Sequence, residues 1–336
     1  MKNLTSFEEN LKSGKFKQAR EFIDGEIARN PLKSKNYTTK GILCETMGRL
    51  KEAIEYFRKA HKLDPDDPEN VYWISEINLM KYDIPATLET CREGEKKFPD
   101  DPRFLMVKAD TYQWDISVSN LSGEDRENAL KKSRDILDKY IEMNPDDGEI
   151  KVVEATWFLQ KGDLEKSLEC FKEALKLGLV LYGDYIDVGL CLAILYLRKG
   201  DKATARSYIE RSLNLFEKWN EPHYLKLFLH YEHLLMLLDA YFDEKLTGEK
   251  IEPFYREYLD LMERGVKVHP VTRDFREIIK DFIISREEGD YERARSALRK
   301  ALGILEGEPP LCIIFRSIKL PALKEIFGYY LEELGN

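Results

Sequence analysis

The sequence has few of the features that announce a reaction, a membrane or an oxidising compartment. It contains no glycine-rich phosphate loop, no nucleophile elbow, no metalloprotease helix motif and no calcium-loop spacing. Its acidic turn Asp64-Pro65-Asp66-Asp67 lacks the loop glycine and distal glutamate of a calcium site and reads as an ordinary helix N-cap. No uncharged apolar run reaches the ~18 residues of a membrane span, and Met1 to Asn10 holds no apolar signal core, so a cytoplasmic location without membrane contact is expected. Cysteine is sparse and odd in number: Cys44, Cys91, Cys170, Cys191 and Cys312 lie far apart, unlike zinc or redox pairs, and read as reduced core residues. The net charge of -9 argues against nucleic acid, which is bound through clustered Lys and Arg. That charge is uneven, because residues 1–62 carry 14 Lys and Arg against 8 Asp and Glu and leave a balance of -15 to the rest.

Histidine is also scarce, and three of the five cluster as His223, His230 and His233. On one helix, steps of 7 and 3 residues place them within about 80° of one another, at about 100° per residue. Such a face could take zinc, with Asp239 or Glu232 assisting. Leu227, Leu234 and Leu235 around them are ordinary core material, so buried, hydrogen-bonded histidines are the preferred reading. No metal or cofactor is expected.

What the sequence does contain is apolar material and a period. Hydrophobic residues make up 43% and charged residues 34%, enough to fold and far from a disordered composition. At 336 residues the chain exceeds the ~250–300 at which one compact core stops growing, so two domains or an elongated architecture is required. The period decides for elongation. Pro65-Asp66-Asp67-Pro68 recurs 34 residues later as Pro99-Asp100-Asp101-Pro102, and the same shift relates Pro31 to Pro65, Gly14 to Gly48 and Ala19 to Ala53. Within one unit the order is Tyr37, Gly41, Cys44, Gly48, Ala53, Phe57, Ala60, Pro65. Tyr37, Gly41 and Cys44 fall on one face of a first helix, where Gly41 permits close approach of a second. Gly48 suits a left-handed cap, and Ala53, Phe57 and Ala60 line the inner face of the second helix.

This order resembles the tetratricopeptide repeat. The resemblance implies an all-α fold, a right-handed superhelical solenoid of helical hairpins. Weaker copies keep the phase: Ala155, Phe158, Gly162, Phe171 and Ala174; then Ala193, Tyr196, Gly200 and Ala205; then Gly289, Ala294, Leu298 and Ala301. The unit from Val71 to Pro99 departs most, with Ser75, Asn78, Thr87 and Gly94 at its packing places. Repeats are expected over residues 1–219, in units near 3–33, 34–67, 68–101, 102–147, 148–183 and 184–219. A long atypical helical pair follows at 220–268, with its second helix opened by Pro253. A late repeat and capping helices fill 269–336. The Pro99 to Pro145 spacing of 46 leaves a surplus of 12 residues around Asp115 to Asn128. It is either a lengthened hairpin, projecting about 9 Å if shared equally at ~1.5 Å per residue, or a disordered loop.

The resemblance further implies a protein-interaction scaffold that holds a partner protein or peptide in a groove lined by first helices. A ligand-sensing regulatory solenoid is the alternative, and an enzyme is not expected. Positions turned away from the second helix give the groove candidates Lys35, Thr38, Thr39 and Ile42, then Tyr72, Trp73, Glu76 and Met80, then Arg103, Met106, Asp110 and Trp114. Trp73 and Trp114 read equally well as core. Chaperone-tail binders of this family grip a carboxylate with Lys, Asn and Arg, whereas this chain has Thr38, Ile42, Tyr72 and Glu76 there. A peptide with apolar anchors is therefore the expected partner.

Overall fold

A computed structural model describes residues 7, 9–11, 15–47, 49–179, 182–217, 225–263, 270–307 and 318–335. It is helical throughout, with no strand among the described residues. Two compact units result, one holding the described residues up to Tyr185, the other those from Ile186 to Glu217 and from Leu225 onward.

The first unit is a run of helix pairs in the expected phase. Helix α1 (Phe16–Arg29) precedes the pair α2 (Ser34–Thr46) and α3 (Leu50–Leu63), then α4 (Pro68–Met80) and α5 (Ile84–Lys97). The pair α6 (Arg103–Val118) and α7 (Gly123–Met143) follows, then α8 (Gly148–Lys161) and α9 (Leu164–Leu177). Each helix packs on the next, and α2, α4, α6 and α8 also pack on one another, so the first helices form a layer of their own. Gly41 shows why the hairpin closes: a Cβ there would stand 2.6 Å from the ring of Phe57, which is fully buried. The Val71–Pro99 unit uses other small groups for the same purpose. Ser75 and Thr87 are wholly buried, and a Cβ on Gly94 would lie 2.4 Å from the Phe104 ring.

The repeated acidic turns cap helices, as read from the sequence. Asp67 accepts from the Glu69 amide at 3.0 Å with Pro68 in the first helical position, and Asp147 accepts from the Glu149 amide at 2.8 Å. Gly162 ends α8 in the left-handed conformation, φ 80°. The cap assigned to Gly48 lies outside the described residues.

The surplus between Pro99 and Pro145 is helix rather than loop, and it is shared unequally. Helix α6 has 16 residues against 13 in α2 and α4, whereas α7 has 21 against 14 in α3 and α5. A tight turn through Asn120, at φ 50°, joins the two. The added turns of α7 are held by the end of α8. Trp157 donates to the Leu130 carbonyl at 2.9 Å, Lys161 pairs with Glu127 at 2.8 Å, and Arg126 donates to the Gln160 carbonyl.

In the second unit, α10 (Tyr182–Arg198, from Ile186) and α11 (Lys202–Glu217) continue the pairing, with Gly200 at φ 77° between them. Helices α12 (Leu225–Phe242) and α13 (Gly248–Glu263) form the long pair, which α14 (Pro270–Glu288), α15 (Tyr291–Gly307) and α16 (Lys319–Glu333) follow. Helix α13 starts five residues ahead of Pro253, which therefore sits inside it and not at its opening. Residues 230–239 of α12 are buried on every side, the pattern of a helix at a core's centre. Among the described residues, no helix is long and apolar enough to cross a membrane.

Candidate functional site

The groove candidates separate by depth in the first unit. Thr38 is buried and donates to Asn70 at 2.6 Å, tying α2 to α4. Trp73, 8% exposed, stacks on Phe57 with centroids 5.5 Å apart, while its indole donates to Glu69 at 2.8 Å. Met106 is buried with Ala109, Leu137, Tyr140 and Ile150. Ile42 and Met80 are half-buried against the cluster that holds Trp73, and Trp114 is half-buried against Leu79, Ile84, Cys91 and Val107. Lys35 is exposed, and Thr39, buried, bonds back to the Lys35 carbonyl at 2.8 Å.

Tyr72, Glu76 and Asp110 come together, on positions that the 34-residue period makes equivalent or adjacent. Both Tyr72 and Glu76 are crowded by protein on nearly all sides, yet each keeps a water-accessible surface. The Arg103 guanidinium lies 4.7 Å from the Tyr72 ring centroid and is itself held by Asp101 at 2.7 Å and by Glu69.

Around Glu76 itself the strongest electrostatic influences are acidic. Burial and then Asp110, Glu45, Glu149 and Asp184 push the Glu76 carboxyl from its ordinary 4.5 up to about 8. The Tyr72 hydroxyl is pushed well above its usual range by burial, Glu76 and Glu149. The sequence reading missed Glu45, Glu149 and Asp184 as members of this site. A signal for Glu149 was present, since it stands one unit on from Arg103 and two from Glu69, in the phase that had marked Lys35 and Arg103.

The histidine cluster of the second unit has another character. His230 and His233 are buried on α12, with His230 3.3 Å from Asp187 and Lys319 paired to the same carboxylate. Burial and the Lys319 ammonium hold His233 down at about 3. The carboxylates considered as helpers are taken by arginines: Glu232 accepts from Arg276 at 2.7 Å, and Asp239 from Arg286 at 2.6 Å. His223 lies outside the described residues. No group of three or more His, Cys, Asp or Glu among the described residues is placed to hold a metal ion.

The tetratricopeptide-repeat family model matches residues 35–67. No curated protein sequence matches the chain. Among solved structures, a thermophilic tetratricopeptide-repeat protein of Thermus thermophilus is similar at 23% identity and a TM-score of 0.50, covering 61% of this chain and 100% of that one. A chain of the APC/C hetero-tetramer Cut9–Hcn1 is similar at 12% identity and a TM-score of 0.51, over 93% of this chain and 48% of its own. At these identities the likeness is one of fold.

Proposed function

The chain is a tetratricopeptide-repeat protein, and from that premise we propose that it is a non-enzymatic scaffold whose first unit docks an extended segment of a partner protein. Proteins of this repeat class are generally protein-interaction scaffolds. The observation that carries the reading here is the set of half-buried side chains Tyr72 and Glu76 on α4 and Asp110 and Trp114 on α6, two first helices that pack on each other. Adjacent first helices pack directly, so half-buried side chains from successive units line one continuous strip. Tyr72, Met80 and Trp114 are the anchors: each offers a large apolar area with few rotatable bonds or an adaptable thioether. Trp73 and Met106 support the strip from beneath.

Affinity capture on immobilised wild-type protein and on a Tyr72→Ala/Trp114→Ala variant, followed by mass spectrometry, tests the reading. A partner held by the wild type and released at least ~30-fold more readily by the variant is expected, as for hot-spot residues. If every retained protein is held equally by both, while the variant melts like the wild type, the docking surface lies elsewhere.

A further inference from the structure

We propose that the first inter-unit turn, Arg29 to Lys35, forms with the last turns of α3 a second docking surface, which takes an acidic partner segment carrying an apolar side chain. It uses residues other than Tyr72, Met80 and Trp114, so it stands or falls independently of the strip.

Four turns of the first unit occupy the same place between helix pairs and can be compared. Three read Pro65-Asp66-Asp67, Pro99-Asp100-Asp101 and Pro145-Asp146-Asp147, and in each the second Asp accepts from the amide two residues on, at 3.0, 3.1 and 2.8 Å. The first turn reads Pro31-Leu32-Lys33 instead. Helix α2 therefore starts without a side-chain cap, and a cation stands where the helix dipole favours an anion. Leu32 is 80% exposed, more than any other large apolar side chain among the described residues. A turn that gives up its cap and shows a leucine to water loses stability twice, and such a break with the local rule marks a place with another use.

The surroundings give that use a sign. The Ser34 hydroxyl donates to the Ala60 carbonyl at 3.0 Å, the Tyr37 hydroxyl donates to the Pro31 carbonyl at 2.8 Å, and the Lys59 ammonium lies 4.2 Å from the Tyr37 ring centroid. The turn is thus pinned against the end of α3. Residues 27–35 and 56–63 contain six Lys and Arg and no Asp or Glu, and all six, Arg29, Lys33, Lys35, Arg58, Lys59 and Lys62, are exposed. The flanking acids are engaged: Glu26 by Arg29, Asp66 by Lys97 at 3.2 Å, and Asp64 by the Asp66 amide at 3.3 Å. Lys33, Lys35, Arg58 and Lys62 have no ion pair among the described residues. One unit on, Asp66, Asp67, Glu69 and Glu93 stand in for Leu32, Lys33, Lys35 and Lys59, so the next turn has neither the charge nor the leucine. Unpaired cations around an exposed leucine complement an acidic segment with an apolar residue, which opposite charge would also steer. An anionic bilayer offers the same two contacts, but a single leucine inserts little where a whole myristoyl chain binds only marginally, and the net charge of -9 opposes approach to such a surface. A segment meets only the local positive charge. Neighbouring helices lie about 10 Å apart, so about six extended residues reach from the turn across α3.

The test uses the full chain and three fluorescein-labelled 12-residue peptides: Glu with Leu at every third position, Glu with Gln at those positions, and Gln with Leu at those positions. Fluorescence anisotropy at low salt should show the Glu/Leu peptide bound at least about tenfold more tightly than either of the others, with the advantage shrinking as salt rises. Leu32→Asp/Lys33→Asp installs the turn of the later units and should remove that advantage while melting no lower than the wild type, a split that a purely structural turn does not give. Arg58→Gln/Lys62→Gln should weaken both Glu peptides, and Leu32→Ser should bring the Glu/Leu peptide down to the Glu/Gln level. Lys131→Gln/Lys139→Gln, the same loss of charge on the exposed side of α7, and Tyr72→Ala/Trp114→Ala should leave binding as in the wild type. Glu/Leu binding indifferent to both the turn and the α3 variants overturns the inference, and an equal loss in the α7 control overturns it as diffuse attraction. Sedimentation with phosphatidylserine/phosphatidylcholine vesicles that is lost in Leu32→Asp/Lys33→Asp overturns it in favour of a bilayer. A wild-type dimer at low salt that the same variant lacks overturns it in favour of a second copy of the chain.

Discussion

Both units take charged side chains out of water, but the surroundings of α12 in the second differ from those of Glu76 in the first. In the second unit the buried charges around α12 are answered pair by pair. Arg276 meets Glu232, Lys319 meets Asp187, and Arg286 meets Asp239, which also accepts from the Tyr330 hydroxyl at 3.1 Å and the Leu246 amide at 3.1 Å. The first-helix strip of the first unit instead gathers carboxylates around Glu76. Matched buried charge fixes how helices pack, whereas burial together with neighbouring acids raises the Glu76 carboxyl well above its ordinary range.

The largest expected effect breaks the matched side. Arg286→Ala leaves Asp239 buried without its guanidinium and should cost ~3–5 kcal/mol in urea unfolding. A loss under about 1 kcal/mol would mean that the α12 network contributes little to packing.

Next comes the pair of tryptophans, which share the first unit but not their depth. Trp73→Ala removes a ring stacked on Phe57 and should cost about 3 kcal/mol or more. Trp114→Ala, at a half-buried ring, should cost less stability and more partner binding. Equal melting temperatures for the two variants would erase the distinction between support and anchor.

The acidic side gives the opposite sign. Glu76 keeps its proton up to about 8 when folded, against 4.5 ordinarily, and the surrounding groups are Glu45, Asp110, Glu149, Asp184 and the Tyr72 hydroxyl. Between those two values the unfolded chain has released a proton that the native state retains, so native stability falls as pH rises through the window and levels off above it. Glu76→Gln should flatten this slope and, at alkaline pH, be more stable than the wild type by on the order of 1–2 kcal/mol, because the side chain still touches water. A variant less stable than the wild type at alkaline pH would show that the carboxylate is stabilised by a cation after all.

The smallest effect concerns the tie between first helices. Thr38→Val deletes the hydroxyl bonded to Asn70 and should cost about 1 kcal/mol, read by thermal melting.

Legibility in the sequence followed the range of the interaction. The 34-residue period, the Asp-Pro caps and the turn glycines Gly162, Gly200 and Gly289 are local chemistry, and the helices start and stop where they indicate. The surplus near Asp115 was visible as a number of residues only, since helix or loop depended on whether α8 offered Trp157, Gln160 and Lys161 to hold it. Tyr72, Glu76 and Asp110 were found through their shared phase. Glu45 and Asp184 were not, because their membership depends on how far successive units bring distant first helices together.

By itself, the sequence determined the helices, their pairing and the layer of first helices, because side-chain volume and backbone conformation act between near neighbours and the period repeats them. Only the tertiary structure decided which tryptophan is buried and which is half-buried, that the acids of α12 meet arginines, and that other acids act on Glu76. Charge balance is a property of distance in space, and residues 139 positions apart, from Glu45 to Asp184, enter it on the same terms as neighbours.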